Sequence, residues 1–226
     1  MSRSATLFLF VIAPALAILL ALLGIETLPA NPLGWYLLLI GIGYTAGLVI
    51  AYAVRKERFW EAASPGTTTQ EEHGDCSLWF VIVGVMVAFY LPPVEYLYIA
   101  PILPRNDWLT FGGAVLVAVG IALFVWARRA LGQNYSGHVS IKAGQALVQN
   151  GPYHFIRHPA YAGYLCMALG IGLGYSSLVG LASTLVLLLP SLIYRMRVEE
   201  MLLRMHFGEV YRHYADATKR LIPGIW

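Results

Sequence analysis

Charged residues are scarce in this chain. Aspartate, glutamate, lysine and arginine make up 12% of its 226 residues, whereas hydrophobic residues make up 58%. Since soluble domains carry about 25% charged residues, this balance excludes an ordinary soluble domain. The formal net charge of +3 gives no basic surface of the kind that binds nucleic acid. The mean hydropathy of +0.66 is that of an integral membrane protein.

Cysteine is also rare, and neither of the two cysteines has a partner in sequence. Cys76 and Cys166 lie far apart without a CxxC spacing, which excludes a disulfide framework or a cysteine metal site. His154 and His158 have an i,i+4 spacing that could hold a metal on a helix. Pro159 interrupts such a helix and no HExxH glutamate is present, so no metal is predicted.

Six apolar runs fill most of the chain. The first four are long enough to cross a bilayer, which takes about 20 helical residues, while the last two are shorter. Little more than Ser176-Ser177 separates these last two runs, which predicts a helical hairpin. We therefore predict an all-α integral membrane protein of about six spans, ending in a short hairpin. The runs lie near 5–25, 34–54, 78–100, 108–130, 161–175 and 178–194.

The distribution of basic residues orients these spans. Lysine and arginine cluster after the second, fourth and sixth runs, and such residues are enriched in cytoplasmic loops. If the N-terminus is cytoplasmic, only Arg105 of the fifteen basic residues falls outside. We therefore predict a multi-pass protein with both termini in the cytoplasm.

The chain divides into two parts at about residue 107. Residues 1–107 are predicted to form three transmembrane helices with a polar cytoplasmic loop over 56–77. Residues 108–226 are predicted to form the functional core. This core comprises a helix over 108–130, a polar segment over 131–160, the hairpin over 161–194 and a C-terminal segment over 195–226.

One acidic residue, Glu95, stands within the third apolar run. Ionisable residues inside spans are costly and are functional candidates by default. Glu95 follows Pro92-Pro93 near the outer end of its run, so solvation at the membrane surface is the alternative interpretation.

Two polar clusters flank the hairpin, at residues 151–161 and 195–200, and the predicted topology returns both to the cytoplasmic side. The first fits either an interfacial loop, with its arginine facing lipid phosphates, or one wall of a reaction site. In the second, Arg195 and Glu199 have the i,i+4 spacing of an ion pair on a solvated helix. The alternative is that Arg195 binds an anion while Glu199 meets a cationic or hydroxyl-bearing ligand.

Taken together, the polar motifs resemble the isoprenylcysteine carboxyl methyltransferase family, and the membrane phospholipid methyltransferases share much of the pattern. The resemblance covers about residues 108–226, and its specificity lies in several motifs occurring in order. They are Lys142-x4-Leu147-Val148-x2-Gly151-Pro152-Tyr153, Arg157-His158-Pro159-x-Tyr161-x-Gly163, Arg195-x3-Glu199-Glu200, Phe207-Gly208-x2-Tyr211-x2-Tyr214 and Arg220-Leu221-Ile222-Pro223.

The resemblance implies a membrane methyltransferase that uses S-adenosylmethionine (SAM), with the lipophilic substrate entering from the bilayer. It implies that Arg195 and Glu199 are catalytic and that Arg195 positions the substrate. Many relatives have histidine where this chain has Gln145. The implied cofactor-binding residues are Lys142, Gln145, Leu147, Val148, Tyr153, His158, Pro159, Tyr161 and Glu199.

The chemistry leaves the methyl acceptor open between a carboxylate and an amine. A carboxylate is ionised at neutral pH and needs only a cation to orient it, for which the planar fork of Arg195 is suited. This favours O-methylation of an isoprenylcysteine-like or other lipidic acid. A phospholipid amine would need a base, for which Glu199 and His158 are the candidates.

Two other functions remain as alternatives. Sterol reductases resemble this family in their C-terminal half, and a reductase would bind NADPH rather than SAM. A small transporter or assembly factor is a further alternative, although the spans carry almost no charge apart from Glu95. The predicted partners are membrane lipids and a lipophilic substrate, with no nucleic acid and no metal, and no oligomeric state is predicted.

Overall fold

The fold was analysed in a computed structural model of the chain, which describes residues 13–43, 77–99, 102–134 and 146–226. The regular elements in these ranges are helices, as the all-α prediction required, and a single isolated bridge pairs Ile156 with Lys219. The α-helices are α1 (Ala13–Thr27), α2 (Gly34–Gly43), α3 (Ser77–Tyr98), α4 (Asp107–Leu131), α5 (Pro159–Gly174), α6 (Leu178–Phe207) and α7 (Glu209–Ala217).

Helices α3, α4 and α6 are long and apolar enough to cross a membrane, whereas the apolar stretches of α1, α2 and α5 are shorter. This confirms an integral membrane protein, and a total of six spans remains a prediction. Of the two helices in the predicted short hairpin, only α5 is short. Helix α6 does not end near residue 194 but continues to Phe207, so the cluster 195–200 lies within it.

Glycines bring α4 and α5 into direct backbone contact. A Cβ added to Gly113 would lie 2.5 Å from the Gly170 carbonyl oxygen, and one on Gly120 would lie 2.7 Å from that of Gly163. The contacts run in opposite directions along the two helices, so the helices are antiparallel. Small residues at such an interface let apolar helices approach closely within a bilayer.

Helix α3 packs antiparallel to α6, also at close range. A Cβ on Gly84 would lie 3.0 Å from the Leu188 Cα, and one on Gly180 would lie 2.5 Å from the Pro92 Cγ. Between these contacts, α6 contains a π turn over Thr184–Leu188. A π turn takes up an extra residue, without which the residues beyond it would be rotated by about 100°. The turn therefore sets which side chains at the far end of α6 face α3.

Glu95 is buried in this helix pair. Its side chain accepts a hydrogen bond from the Ser177 hydroxyl at the start of α6, and the residue is only 2% exposed. The interpretation that Glu95 is solvated at the membrane surface is therefore wrong. A buried carboxyl needs such a partner, because an unsatisfied polar group is costly away from water.

Candidate functional site

The two polar clusters meet at one end of the helix bundle. Pro159 opens α5, so Arg157 and His158 stand at the entrance of that helix. Helix α6 runs antiparallel to α5 and extends past it, which places Glu199 and Glu200 beside His158. The proximity predicted from the hairpin is confirmed, and the continuous helix α6 provides a rigid support for it.

Glu200 is the centre of a buried ionic cluster. Its side chain is 3% exposed and accepts hydrogen bonds from the Arg157 Nε at 3.0 Å and the Arg220 Nη2 at 2.9 Å. The His158 Nε2 lies 3.3 Å from the same carboxylate. Buried charges of this kind persist only when paired and hydrogen-bonded. Glu200 therefore joins the entrance of α5, helix α6 and the segment after α7.

The segment around and after α7 is held against the entrance of α5 by backbone hydrogen bonds. The Arg157 amide donates to the Lys219 carbonyl at 2.7 Å, and the His158 amide donates to the Arg220 carbonyl at 3.0 Å. The Arg157 guanidinium donates to the carbonyls of Ala215, at 2.5 Å, and Thr218. Arg157 thus makes contacts inside the protein, so the interpretation that it faces lipid phosphates is wrong.

A second, more open row of side chains lies beside the ionic cluster. The Arg195 Nε donates to the Tyr161 hydroxyl at 3.0 Å, and that hydroxyl donates to the Glu199 Oε2 at 2.9 Å. The His158 Nδ1 lies 3.7 Å from the same Glu199 oxygen. Arg195 and Glu199 are therefore linked through a phenol rather than by a direct i,i+4 ion pair in the part of the chain described. Arg195 is 5% exposed, whereas the Glu199 side chain is 37% exposed.

Most of the predicted site residues occupy this region. Tyr153, His158 and Pro159 are buried in the short turn and helix entrance formed by 151–159. Tyr161 and His158 stack with ring centroids 5.5 Å apart and planes 18° apart. Leu147 and Val148 are half-buried in the irregular segment before Gly151. Lys142 and Gln145 lie outside the described residues.

Several residues of the cluster had no assigned role in the sequence prediction. Glu200, Arg220 and Tyr211 were noted only as parts of motifs. The hydrogen bond to Glu200 raises the pKa of Arg220, so this guanidinium stays charged. Only the fold shows that Arg157 and Arg220 meet Glu200 rather than the adjacent Glu199.

Tyr211 carries an unsatisfied hydroxyl. The residue is 1% exposed, and its phenol oxygen has no hydrogen-bond partner among the residues that the structure describes. Burial raises the pKa of Tyr211, and the negative charge of Glu200 raises it further, so the phenol remains a neutral donor. The neighbouring Tyr214 hydroxyl, by contrast, donates to the Tyr153 carbonyl at 2.7 Å. A buried donor without a partner is rare in folded proteins, so the Tyr211 hydroxyl is available to a polar ligand atom.

A cavity of about 580 Å³ lies at the other end of the bundle. Its lining includes Tyr96 at the end of α3, Arg105 and Asp107 at the start of α4, and Ser176. Arg195 meets the opposite end of α3, at Ser77. The cavity therefore lies at the opposite end of α3 from the two polar clusters and is not the candidate site.

Part of the chain is similar to known proteins. Residues 108–210 match the family model described as phospholipid methyltransferase. Protein-S-isoprenylcysteine O-methyltransferase A of Arabidopsis thaliana is 26% identical over 61% of this chain and 72% of its own length. A probable protein-S-isoprenylcysteine O-methyltransferase of Oryza sativa subsp. indica is 26% identical over 62% of the chain and 76% of its own length. The uncharacterized protein YpbQ of Bacillus subtilis is 30% identical over 43% and 57%, respectively.

The matched range contains α4, α5, α6 and the start of α7, and with them the ionic cluster around Glu200 and the row from Arg195 to His158. The family predicted from the motifs is thereby confirmed. Over residues 108–210 the chain is thus similar to the membrane methyltransferases, among them the phospholipid methyltransferases and the protein-S-isoprenylcysteine O-methyltransferases.

Proposed function

We propose that this protein binds SAM at the cytoplasmic end of its helix bundle and methylates a carboxylate of an isoprenylcysteine-like or other lipidic substrate. The observation that carries this proposal is the row in which Tyr161 joins Arg195 to Glu199. It places a cation suited to a carboxylate next to an acid suited to a cationic cofactor, on the same helix α6. The names of the plant relatives support the choice of acceptor.

The side chains present fit SAM, which combines a sulfonium cation, a carboxylate and an adenosine. The partly exposed Glu199 carboxylate offers a partner to a cationic group, and the stacked rings of His158 and Tyr161 offer an aromatic wall. The unpaired Tyr211 hydroxyl offers a hydrogen-bond donor. When bound, SAM supplies the activated methyl group.

The protein contributes chiefly by positioning. Methyl transfer requires the nucleophile, the methyl group and the sulfur in line, and such alignment supplies a large part of a reaction barrier. Tyr161 fixes Arg195 through Nε and thereby sets the plane of its guanidinium. A planar fork held in this way can orient a carboxylate by two parallel hydrogen bonds.

An amine acceptor is the second candidate, because the matched family model is described as phospholipid methyltransferase. Such a substrate would arrive protonated and would need a base. Glu199 already accepts a hydrogen bond from Tyr161, and His158 lies against Glu200. These contacts favour the carboxylate.

The proposed orientation and substrate route follow from the positive-inside pattern and from the helices. With six spans and both termini inside, the Arg195 end of the bundle faces the cytoplasm, where SAM is available. Arg195 lies one helical turn closer to the apolar part of α6 than Glu199 does. We therefore expect a lipophilic acceptor to approach Arg195 from the bilayer.

The test combines methyl transfer with cofactor binding. Labelled SAM is offered with a total membrane lipid extract or with a prenylcysteine analogue, and SAM binding is measured by calorimetry. We expect Glu199→Ala to abolish SAM binding. Arg195→Ala should keep SAM binding but lower kcat/KM for the acceptor about 100-fold, since it removes hydrogen bonds to a charged group.

Arg197→Ala is the matched control, because Arg197 lies on the same helix but is exposed, and it should behave as the wild type. Equal SAM affinity in the wild type and Glu199→Ala would contradict the assignment of Glu199. Binding of NADPH without binding of SAM would contradict the proposed function and favour a reductase.

A further inference from the structure

The first residue of α3 reaches the candidate site from outside the matched family range. Ser77 is completely buried, and its hydroxyl accepts a hydrogen bond from the Arg195 Nη1 at 3.1 Å. The two residues are 118 positions apart in the sequence. The family match begins only at residue 108, so Ser77 belongs to the N-terminal part, for which the motifs predicted no role in the site.

This contact is one end of a helix pair that keeps its register along its whole length. At the other end of the same pair, the Ser177 hydroxyl donates to Glu95. Gly84 meets Leu188 between these ends. Moving a given number of residues towards the C-terminus of α3 corresponds to moving the same number towards the N-terminus of α6. The approach of Ser77 to Arg195 therefore follows from the packing of both helices.

The π turn of α6 lies between the two polar ends of this pair. It occupies Thr184–Leu188, after Ser177 and before Arg195. In an uninterrupted α-helix of the same sequence, Arg195 would be turned away by about 100°. Single π turns within α-helices are frequent at functional sites. They change the direction in which the following side chains point. Here the irregular turn and the Ser77 hydroxyl act on the same arginine.

We propose that Ser77 is a positioning residue for Arg195, so that α3 completes the site at which the methyl acceptor binds. This inference rests on the proposed function. Two hydroxyls, of Ser77 on Nη1 and of Tyr161 on Nε, hold two different nitrogens of the guanidinium. Two such contacts fix the direction of the fork.

The kinetic test compares Ser77→Ala with Ser77→Thr in the purified full-length protein. We expect Ser77→Ala to lower kcat/KM for the prenylcysteine analogue about tenfold, the effect of one hydrogen bond to a charged group, without changing SAM affinity. Ser77→Thr keeps the hydroxyl and should restore most of the activity. Ser183→Ala is the matched control, because Ser183 is a buried serine whose hydroxyl donates to the Gly180 carbonyl within α6, and it should leave kcat/KM unchanged.

A second measurement does not depend on turnover. Phenylglyoxal modifies accessible guanidinium groups, and peptide mass spectrometry reports the rate at Arg195. We expect faster modification in Ser77→Ala and the wild-type rate in Ser77→Thr. An unchanged rate in Ser77→Ala would overturn the inference, as would an unchanged kcat/KM in an active protein. If the wild type methylates neither acceptor but Ser77→Ala exposes Arg195, then Ser77 still positions Arg195, whereas the proposed function fails and with it the role of α3 in an acceptor site.

Discussion

At the residue scale, Glu199 and Glu200 show how the fold separates two identical side chains. The Glu200 side chain is 3% exposed and lies among Arg157, Arg220 and His158. The Glu199 side chain is 37% exposed and accepts one hydrogen bond from Tyr161. Consecutive residues of a helix point in directions about 100° apart, so one acid can face the protein and the other the site. Glu200 holds the segments together, and Glu199 is the candidate for ligand contact.

The unsatisfied Tyr211 hydroxyl gives a prediction with opposite effects on stability and binding. Tyr211→Phe should raise the free energy of unfolding of the cofactor-free protein by about 1 kcal/mol, because a buried donor without a partner carries a desolvation cost. The same change should weaken SAM binding if the hydroxyl meets the cofactor. Thermal unfolding in detergent and calorimetric titration with SAM measure the two effects.

Tyr214→Phe is the matched comparison for this prediction. Burial raises the pKa of Tyr214 to about 12, so it too is a neutral phenol at pH 7, but its hydroxyl has a partner in the Tyr153 carbonyl. Removing that hydroxyl should lower the unfolding free energy by about 1 kcal/mol. If both variants changed the free energy of unfolding equally, the Tyr211 hydroxyl would carry no desolvation cost from lacking a partner.

At the element scale, the antiparallel contact between α4 and α5, called the seam here, depends on glycine at particular positions. Gly120→Ala would place a methyl group 2.7 Å from the Gly163 carbonyl oxygen. Since the helices must separate to admit it, we expect a loss of about 1–3 kcal/mol in unfolding free energy. Thermal unfolding in detergent is the measurement.

Gly112→Ala tests the same helix without the contact. A Cβ on Gly112 would meet only the Leu173 Cδ2, at 3.8 Å. Alanine favours a helix by up to about 1 kcal/mol over glycine, so this variant should be as stable as the wild type or slightly more so. A similar loss of unfolding free energy in both variants would mean that the close contact of Gly120 with α5 does not determine stability.

The sequence correctly predicted the helices that coincide with long apolar runs, because the length of such a run directly indicates a membrane span. The last apolar run was predicted to end near residue 194 with a solvated helix beyond it, and the structure joins the two in one helix that continues to Phe207. The residues that follow include Met196, Glu200 and Met201, which favour helix. The spans are thus readable from apolar composition, and the extension that bears the site is readable from helix-favouring residues and from the i,i+4 spacing of Arg195 and Glu199.

The site was predictable only where its residues are close in sequence or fall in a family motif. His158, Tyr161, Arg195 and Glu199 were predicted in this way, and the structure brings them together. Ser77 carries no such signal, because a lone serine at the start of an apolar run has no distinguishing pattern. Its role depends on the register of two helices that are distant in the chain.

At the scale of the whole molecule, the proposed orientation is testable by labelling at the two ends of the bundle. In a protein with Cys76 and Cys166 replaced by alanine, Trp108→Cys and Arg212→Cys introduce thiols at exposed positions. Trp108 is 81% exposed, and the Arg212 side chain is 70% exposed. A membrane-impermeant maleimide should label position 108 in intact cells and position 212 only after permeabilisation. The reverse pattern would invert the orientation and place the proposed site outside.

The hydrogen bonds between residues 157–158 and 219–220 also impose an order on the maturation of the protein. Residues 219–220 are translated after α5, α6 and α7, so a nascent chain can insert its helices before Glu200 meets Arg220. Until then one partner of a buried carboxylate is missing, which destabilises that part of the fold. The contacts that complete the ionic cluster can therefore form only after the helices that carry its other residues have been translated.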